Sequence, residues 1–225
     1  MDNPEGELVI ASLNIQGQSC LNLGKQIQIE DFIKYNNIDI LHCQEISISP
    51  DSFNSCKYIC NNFNIIQNNS PNNPFGTASL VRSDLNIENV RCDTEGRALV
   101  FDIANITFGN FYIPSGNEKH MRQKREEYFS KMIPELLVRK KKNGIICADF
   151  NSIIDKKDAT NNAEQKLSPS LKRLVNVFSM KDSFRTLHPE VKIFSRYYRS
   201  EEYGDGATRI DRSYHFGEVV VKEAD

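Results

Sequence analysis

The chain has 225 residues, 39% hydrophobic and 26% charged, with a formal net charge of −2. These values fit an ordinary globular protein with a sizeable core, and they exclude a chain that binds nucleic acid through overall positive charge. A local basic face is not excluded.

No apolar run approaches the length of a membrane-spanning helix, and the start MDNPEGE does not read as a signal peptide. In chain order, ELVIASLNI (7–15) predicts a first strand. Lys25 to Asn36 follows as a helix with Ile27, Ile29, Phe32 and Ile33 near one face, and IDILHCQEI (38–46) as a second strand. QNNSPNNPFG (67–76) reads as a polar turn cluster, after which TASLVRS, ALVFDIA and ITFGNFYI are strand-like. Glu118 to Arg139 carries a helical stripe of Met121, Tyr128, Phe129, Met132, Ile133, Leu136 and Leu137. Pro134 should kink this helix or start a second segment. The basic run Arg139 to Lys142 sits at its C-terminus, where cations complement the helix dipole, with a DNA contact as the second reading. GIICADF is a further strand, and a helix begins at Ser168 with Pro169 in its first turn and Leu171, Leu174, Val175 and Phe178 inward. FSRYYRSEEYGDGA (194–207) reads as a hairpin, and TRIDRSYHF and EVVVKEA as closing strands. Six cysteines, Cys20, Cys43, Cys56, Cys60, Cys92 and Cys147, form no CxxC pair. A reducing, intracellular setting follows, with Cys43 and Cys147 as small core residues. Strands with helices inserted between them predict one α/β (α+β) domain of two packed sheets flanked by helices.

Several of these runs end in a polar residue. LVIASLN closes on Asn14, IDILHCQE on Glu45, FGNFY on Tyr112, IICADFN on Asp149 and Asn151, and ATRID on Asp211. Alternation along an extended chain would put Asp149 and Asn151 on one side. Each residue alone has an ordinary explanation, as a turn, a solvated strand end or a surface acid. Together they predict a common rim. Glu45 and Asn14 offer oxygen and amide groups, which suit a hard cation such as Mg²⁺ or Mn²⁺. No HExxH, Cys/His cluster, P-loop or GxSxG is present, so zinc, nucleoside triphosphate and serine-hydrolase chemistry lack their parts. A carboxylate-held cation beside an aspartate that activates water suits phosphodiester hydrolysis.

The ordered set SLNIQG, HCQE, GNFYIP, CADFN and ATRID resembles the endonuclease/exonuclease/phosphatase superfamily, and within it the apurinic-like endonuclease domain of non-LTR (LINE-type) retrotransposons. MKDSFRTLHP (180–189) is similar to that domain's D-x-W-R-x-x-x-P element, with Phe184 in the tryptophan position. The likeness runs from Ser12 to Tyr214. Two departures are Cys147-Ala148, where a Gly commonly precedes the Asp, and Thr208 in place of Ser. The resemblance implies a four-layer α/β sandwich, two facing, mostly antiparallel sheets with helices outside. It implies that Glu45 ligates the metal with help from Asn14, that Asp149 orients the attacking water, and that Asn151 and Tyr112 hydrogen-bond the phosphate. Asp211 would orient a histidine, and a hairpin carrying Arg196, Tyr198 and Arg199 would enter a DNA groove; the residues themselves fit equally a solvated hairpin whose tyrosines cover the sheet edge.

The family's final Asp-His pair is not found before Asp225, and His42, His120, His188 and His215 are poor substitutes. The expectation is a domain spanning 1–225 and cut before its last strand, at the N-terminal end of a larger polyprotein. It would nick double-stranded target DNA in the nucleus, for a reverse transcriptase domain downstream to prime on. An abasic-site repair endonuclease or other phosphodiesterase of the superfamily is the alternative, as is a non-catalytic DNA-binding module.

Overall fold

The buried positions of the sequence gather into two units in a computed structural model that describes residues 6–17, 23–47, 62–160, 167–199 and 205–225. One unit comprises Met1–Ala104 with Asn110–Tyr112, the other Asn105–Gly109 with Ile113–Asp225. Cys20, Cys56 and Cys60 lie outside the described residues.

In the first unit, β1 (Ile10–Asn14) pairs in parallel with β2 (Ile40–Ile46), and α1 (Leu23–Tyr35) lies between them in sequence, as a parallel crossover requires. β3 (Phe63–Ser70) and β4 (Asn73–Arg82) complete a four-stranded sheet in the order β1-β2-β4-β3, with β4 antiparallel to both of its neighbours. Ile29 and Ile33 of α1 pack with Leu41, Cys43 and Leu80 in its core. The expected face of α1 is corrected: Ile27 and Phe32 are 43% and 39% exposed. At 100° per residue Ile27 lies about 200° from Ile29, so the two cannot share a face.

The polar stretch 67–76 is also corrected, because most of it is strand: β3 runs to Ser70 and β4 starts at Asn73. Asn68 makes such a polar strand affordable. Its buried amide nitrogen donates to Asp93 Oδ1 (2.7 Å), Ala98 O (2.9 Å) and Asp93 O (3.2 Å). β5 (Ile87–Cys92), unread in the sequence, pairs with β6 (Ala98–Ile103) across a register shift between Glu88 and Arg91. That shift breaks the alternation by which a strand is recognised.

β5 and β6 both belong to the first unit. β7 (Ile106–Tyr112) is divided between the units. In the second unit, β8 (Asn143–Asp149) pairs antiparallel with β12 (Asp211–Phe216), and β9 (Lys181–Asp182) pairs with the far edge of β12 at Tyr214 and His215. β10 (Arg196–Tyr198) and β11 (Gly206–Thr208) form the expected hairpin. TRIDRSYHF is therefore two elements, and Asp211 opens a strand rather than closing one. EVVVKEA, expected as a last strand, forms none.

The long helix breaks where proline demands. α2 (Lys119–Glu127) passes through a π turn (Tyr128–Met132) into α3 (Ile133–Leu137), with Pro134 in the first turn of α3. Proline has no N–H to return to the carbonyl four residues back. Tyr128, Phe129, Ile133 and Leu137 are buried as the stripe predicts. α4 (Pro169–Val177) is capped by Ser168, whose Oγ accepts from Leu171 N at 3.1 Å, and α5 (Ser183–Leu187) by Asp182, which accepts from Arg185 N at 3.0 Å. The basic run after α3 is anchored one residue at a time. Lys140 Nζ lies 4.5 Å from the Phe216 ring centroid, Lys141 N donates to Thr107 Oγ1 at 2.7 Å, and Lys142 pairs with Glu218 at 2.5 Å. Cys43 and Cys147 are core residues, and burial pushes the Cys147 thiol up to about 12.

Candidate functional site

The first unit holds Asn14, Glu45 and Tyr112. At the end of β2 the chain bulges between Gln44 and Ile46, and Glu45 takes a positive φ of 55°. That turns its side chain out of the strand's alternation, to where Asn14 Nδ2 donates to Glu45 Oε1 at 3.0 Å. The Asn14 oxygen accepts from Gln16 N at 2.9 Å. A backbone N–H can only donate, so Gln16 fixes which end of the amide faces the carboxylate. Asn14 thus holds Glu45 in place and leaves the carboxylate as the ionic group. Tyr112 ends β7, buried, with its N–H on Arg97 O (2.8 Å) and the Arg97 guanidinium carbon 4.8 Å from its ring centroid.

Two residues that support Glu45 were missed in the sequence reading. Gln44 Nε2 donates to Ser12 Oγ (2.9 Å) and Asn110 Oδ1 (2.8 Å), and Asn110 Nδ2 donates to Ala78 O (2.8 Å) and Cys43 O (3.2 Å). Gln44 and Asn110 are buried, so these bonds fix the strand end that carries Glu45. Their only sequence signal was a Gln and an Asn inside otherwise apolar strands. Arg97 was missed for want of any pattern. Its N–H, with that of Ala98, donates to Asp93 Oδ1, each at 2.9 Å.

The second unit holds Asp149, Asn151 and Asp211, and here three expected residues do meet. β8 ends at Asp149, and Asp211 stands opposite it in the β8–β12 register. Asn151 reaches Asp149 by a turn and not by alternation. Its φ is 45°, and its N–H donates to Asp149 Oδ1 at 2.9 Å. Asn151 Nδ2 donates to Ile113 O (2.9 Å), Ile113 N to Asp149 O (3.0 Å), and Phe150 N to Ile210 O (2.8 Å). The Asp211 N–H donates to Ser195 Oγ at 3.0 Å. Below this turn Asp158 and Asp182 neutralise Arg185, Arg209 and Arg212. Arg209 Nε and Arg185 Nη2 each lie 2.9 Å from Asp158 Oδ1, and Arg209 Nη2 lies 2.6 Å from Asp182 Oδ2. A cavity of about 150 Å³ is lined by Phe184, Phe194, Arg209, Asp211, Arg212 and neighbouring residues.

Two of the four histidines are buried. His42 is buried with Nδ1 2.8 Å from Ser79 Oγ, and desolvation lowers its pKa to about 3. His215 is buried with Nδ1 3.1 Å from Ser183 Oγ. On the hairpin, Arg196 is exposed and Arg199 Nε lies 3.8 Å from Asp205 Oδ2, in water. Tyr198 is half-buried against Gly206, where a Cβ would fall 2.5 Å from its ring, so this tyrosine packs within the hairpin. Residues 200–204 of the hairpin lie outside the described residues.

Solved structures share this architecture. An AP endonuclease from Archaeoglobus fulgidus superposes with a TM-score of 0.75 at 18% identity, over 93% of this chain and 87% of that one. The fold is common to both. The 3'-5' exonuclease NExo from Neisseria meningitidis gives 0.68 at 17% identity, over 92% and 86%. The 3' phosphatase NExo from Neisseria, bound to a product DNA hairpin, gives 0.71 at 18%, over 93% and 87%. No family model and no curated protein matches the sequence. The chain is thus a mixed α/β protein of the AP-endonuclease-like sandwich fold, with two large sheets and flanking helices.

The residues present fit a hard divalent cation. Among the described residues no three His, Cys, Asp or Glu side chains gather as a ligand set. Mg²⁺ commonly needs only one or two carboxylates, with waters and substrate phosphate completing its shell. Glu45, held by Asn14, supplies such a carboxylate.

Proposed function

We propose that the chain is a metal-dependent DNA endonuclease. It would nick target DNA in the nucleus so that a reverse transcriptase domain downstream in the same polyprotein can prime on the nick, as in a non-LTR retrotransposon. The observation that carries the catalytic part is Asp149, fixed at the end of β8 by the Asn151 N–H and set opposite Asp211. The retrotransposon part is supported by the ordered motifs SLNIQG, HCQE, GNFYIP, CADFN and ATRID.

Asp149 orients the attacking water and takes its proton. One of its oxygens already accepts the Asn151 N–H, which fixes the plane of the carboxylate. Asn151 has one amide hydrogen on Ile113 O, and the second is a donor for the scissile phosphate, as is the Tyr112 phenol. Arg97 over the Tyr112 ring restrains that ring. Glu45 would hold Mg²⁺ or Mn²⁺ with Asn14 fixing its carboxylate. When bound, the ion supplies neutralisation of charge on the phosphate and the leaving oxygen.

The test is nicking of supercoiled plasmid with Mg²⁺ or Mn²⁺, with and without chelator. Asp149→Asn should lower the rate by about 10²–10⁴-fold, the range of a lost general base. Glu45→Gln should abolish metal-dependent nicking while the fold is retained. Wild-type protein that never nicks, or an Asp149→Asn variant that cuts at the wild-type rate, overturns the proposal. The solved relatives favour a second reading, DNA-end or abasic-site processing, since they are an AP endonuclease and a 3'-5' exonuclease/3' phosphatase. Cleavage confined to abasic duplexes or 3'-phosphate hairpins would select it. Metal-independent DNA binding without cleavage would select a non-catalytic module.

A further inference from the structure

Arg212 is the second residue of β12, opposite Ala148 in the register with β8, and its side chain is fully buried. A guanidinium is costly to bury, and an apolar side chain of similar volume would fill the space more cheaply. The contacts show what an apolar side chain could not do. Nη2 donates to the carbonyl of Ser152, and Nη1 lies 3.5 Å from Asp158 Oδ2. The guanidinium carbon sits 5.1 Å from the Phe150 ring centroid and 5.7 Å from that of Tyr214.

Phe150 and Ser152 flank Asn151, whose φ of 45° is unfavourable for a residue with a Cβ. Such a conformation persists only where its surroundings over-determine it. Ile210 O, Ile113 O and Asp149 Oδ1 fix the turn from one side through Phe150 N, Asn151 Nδ2 and Asn151 N. Arg212 closes it from the other, donating to the carbonyl after Asn151 and placing its cation over the ring before it.

We infer that Arg212 is a positioning residue for Asp149 and Asn151, acting through Phe150 and Ser152. The inference rests on the proposed hydrolytic role of Asp149. The planar fork does the work, not the charge. Lysine, a point charge on a flexible stem, has no forked pair of N–H groups to hold the Ser152 carbonyl and face Asp158 while the cation lies between the two rings.

The test compares Arg212→Lys and Arg212→Met in the full chain by three readouts: thermal midpoint, residue-resolved amide hydrogen exchange, and plasmid-nicking kinetics. The Asn151 N–H, bonded to Asp149 Oδ1, should exchange faster in both variants, while the amides of α1 keep their wild-type protection. kcat should fall by about 10²-fold, the cost of a misplaced catalytic group, with KM little changed. Lysine should restore neither. The inference is overturned by an unchanged Asn151 exchange rate, by equal acceleration in α1, or by full rescue with lysine. Failure of both variants to fold overturns it as well, since Arg212 would then serve the fold as a whole. If wild-type protein does not nick DNA at all, the functional proposal falls, and the exchange measurement still decides whether Arg212 holds the turn.

Discussion

Replacing Asp158 by asparagine removes one of two carboxylates that neutralise three arginines. The Asp158 side chain is 3% exposed and lies 2.9 Å from Arg209 Nε, 2.9 Å from Arg185 Nη2 and 3.5 Å from Arg212 Nη1. Asparagine keeps the volume but leaves Arg185 and Arg212 without this counter-ion, and Arg209 with Asp182 alone. Breaking a buried ionic group from one side costs about 3–5 kcal/mol. At about 2–4 °C per kcal/mol for a chain of this size, Tm should fall by about 6–20 °C. The effect carries its own pH signature. Burial acts to raise the Asp158 pKa, but the hydrogen bond and charge of Arg209, then Arg185 and Arg212, outweigh it and hold the carboxyl below its ordinary value of 3.8. A carboxylate with a depressed folded pKa contributes its full stability above the unfolded value and loses it as pH falls through the folded one. The Tm gap between wild type and Asp158→Asn should therefore be constant at neutral pH and close as pH drops below 3.8. Differential scanning calorimetry across that range is the assay. A loss of under about 2 °C, less than 1 kcal/mol, would refute the network's structural weight. So would a gap that stays constant in acid.

Other perturbations give separate checks. Burial lowers the His42 pKa from 6.5 to about 3, so between those values the unfolded chain binds a proton that the folded chain does not. Stability should then fall as pH drops below 6.5, by up to about 1.4 kcal/mol per pH unit, and His42→Gln should flatten that slope in urea melts. An undiminished slope in the variant would assign it to another group. Gly96 has a φ of +76°, and a Cβ there would sit 2.9 Å from Ser70 N, so Gly96→Ala should cost about 1–3 kcal/mol by chemical denaturation. A neutral result would mean that the β3–β4 turn region yields easily. On the proposed DNA-binding hairpin, changing Arg196 and Arg199 together to alanine should weaken DNA binding and reduce the salt dependence of log K by about 2. An unchanged salt slope and cleavage pattern would leave the hairpin a solvated surface element.

Much of the fold could be read in the sequence because its signals are local. Alternation and apolar runs marked β1, β2, β4, β6, β7 and β8, Ser168-Pro169 marked the start of α4, and Pro134 marked the break before α3. The strand ends also named Asn14, Glu45, Tyr112 and Asp149, since a polar residue closing an apolar run is visible without coordinates. The sequence misled where a partner distant in the chain satisfies a polar group. β3 looked like a turn because nothing local shows that Asn68 is buried among Asp93 and Ala98. EVVVKEA looked like a strand because β-branched residues favour extension, yet a strand forms only where a neighbour takes its hydrogen bonds.

Asp149 and Asn151 illustrate the division most clearly. The sequence placed them together through alternation. The structure brings them together by a left-handed turn at Asn151, with Phe150 N and Asn151 Nδ2 held by Ile210 and Ile113 and Ser152 O gripped by Arg212. Residue type and order determined which groups stand at the strand ends. Tertiary structure decided how each is oriented, because hydrogen bonds and stacking contacts between residues far apart in the chain outweigh the small conformational preference of any single residue.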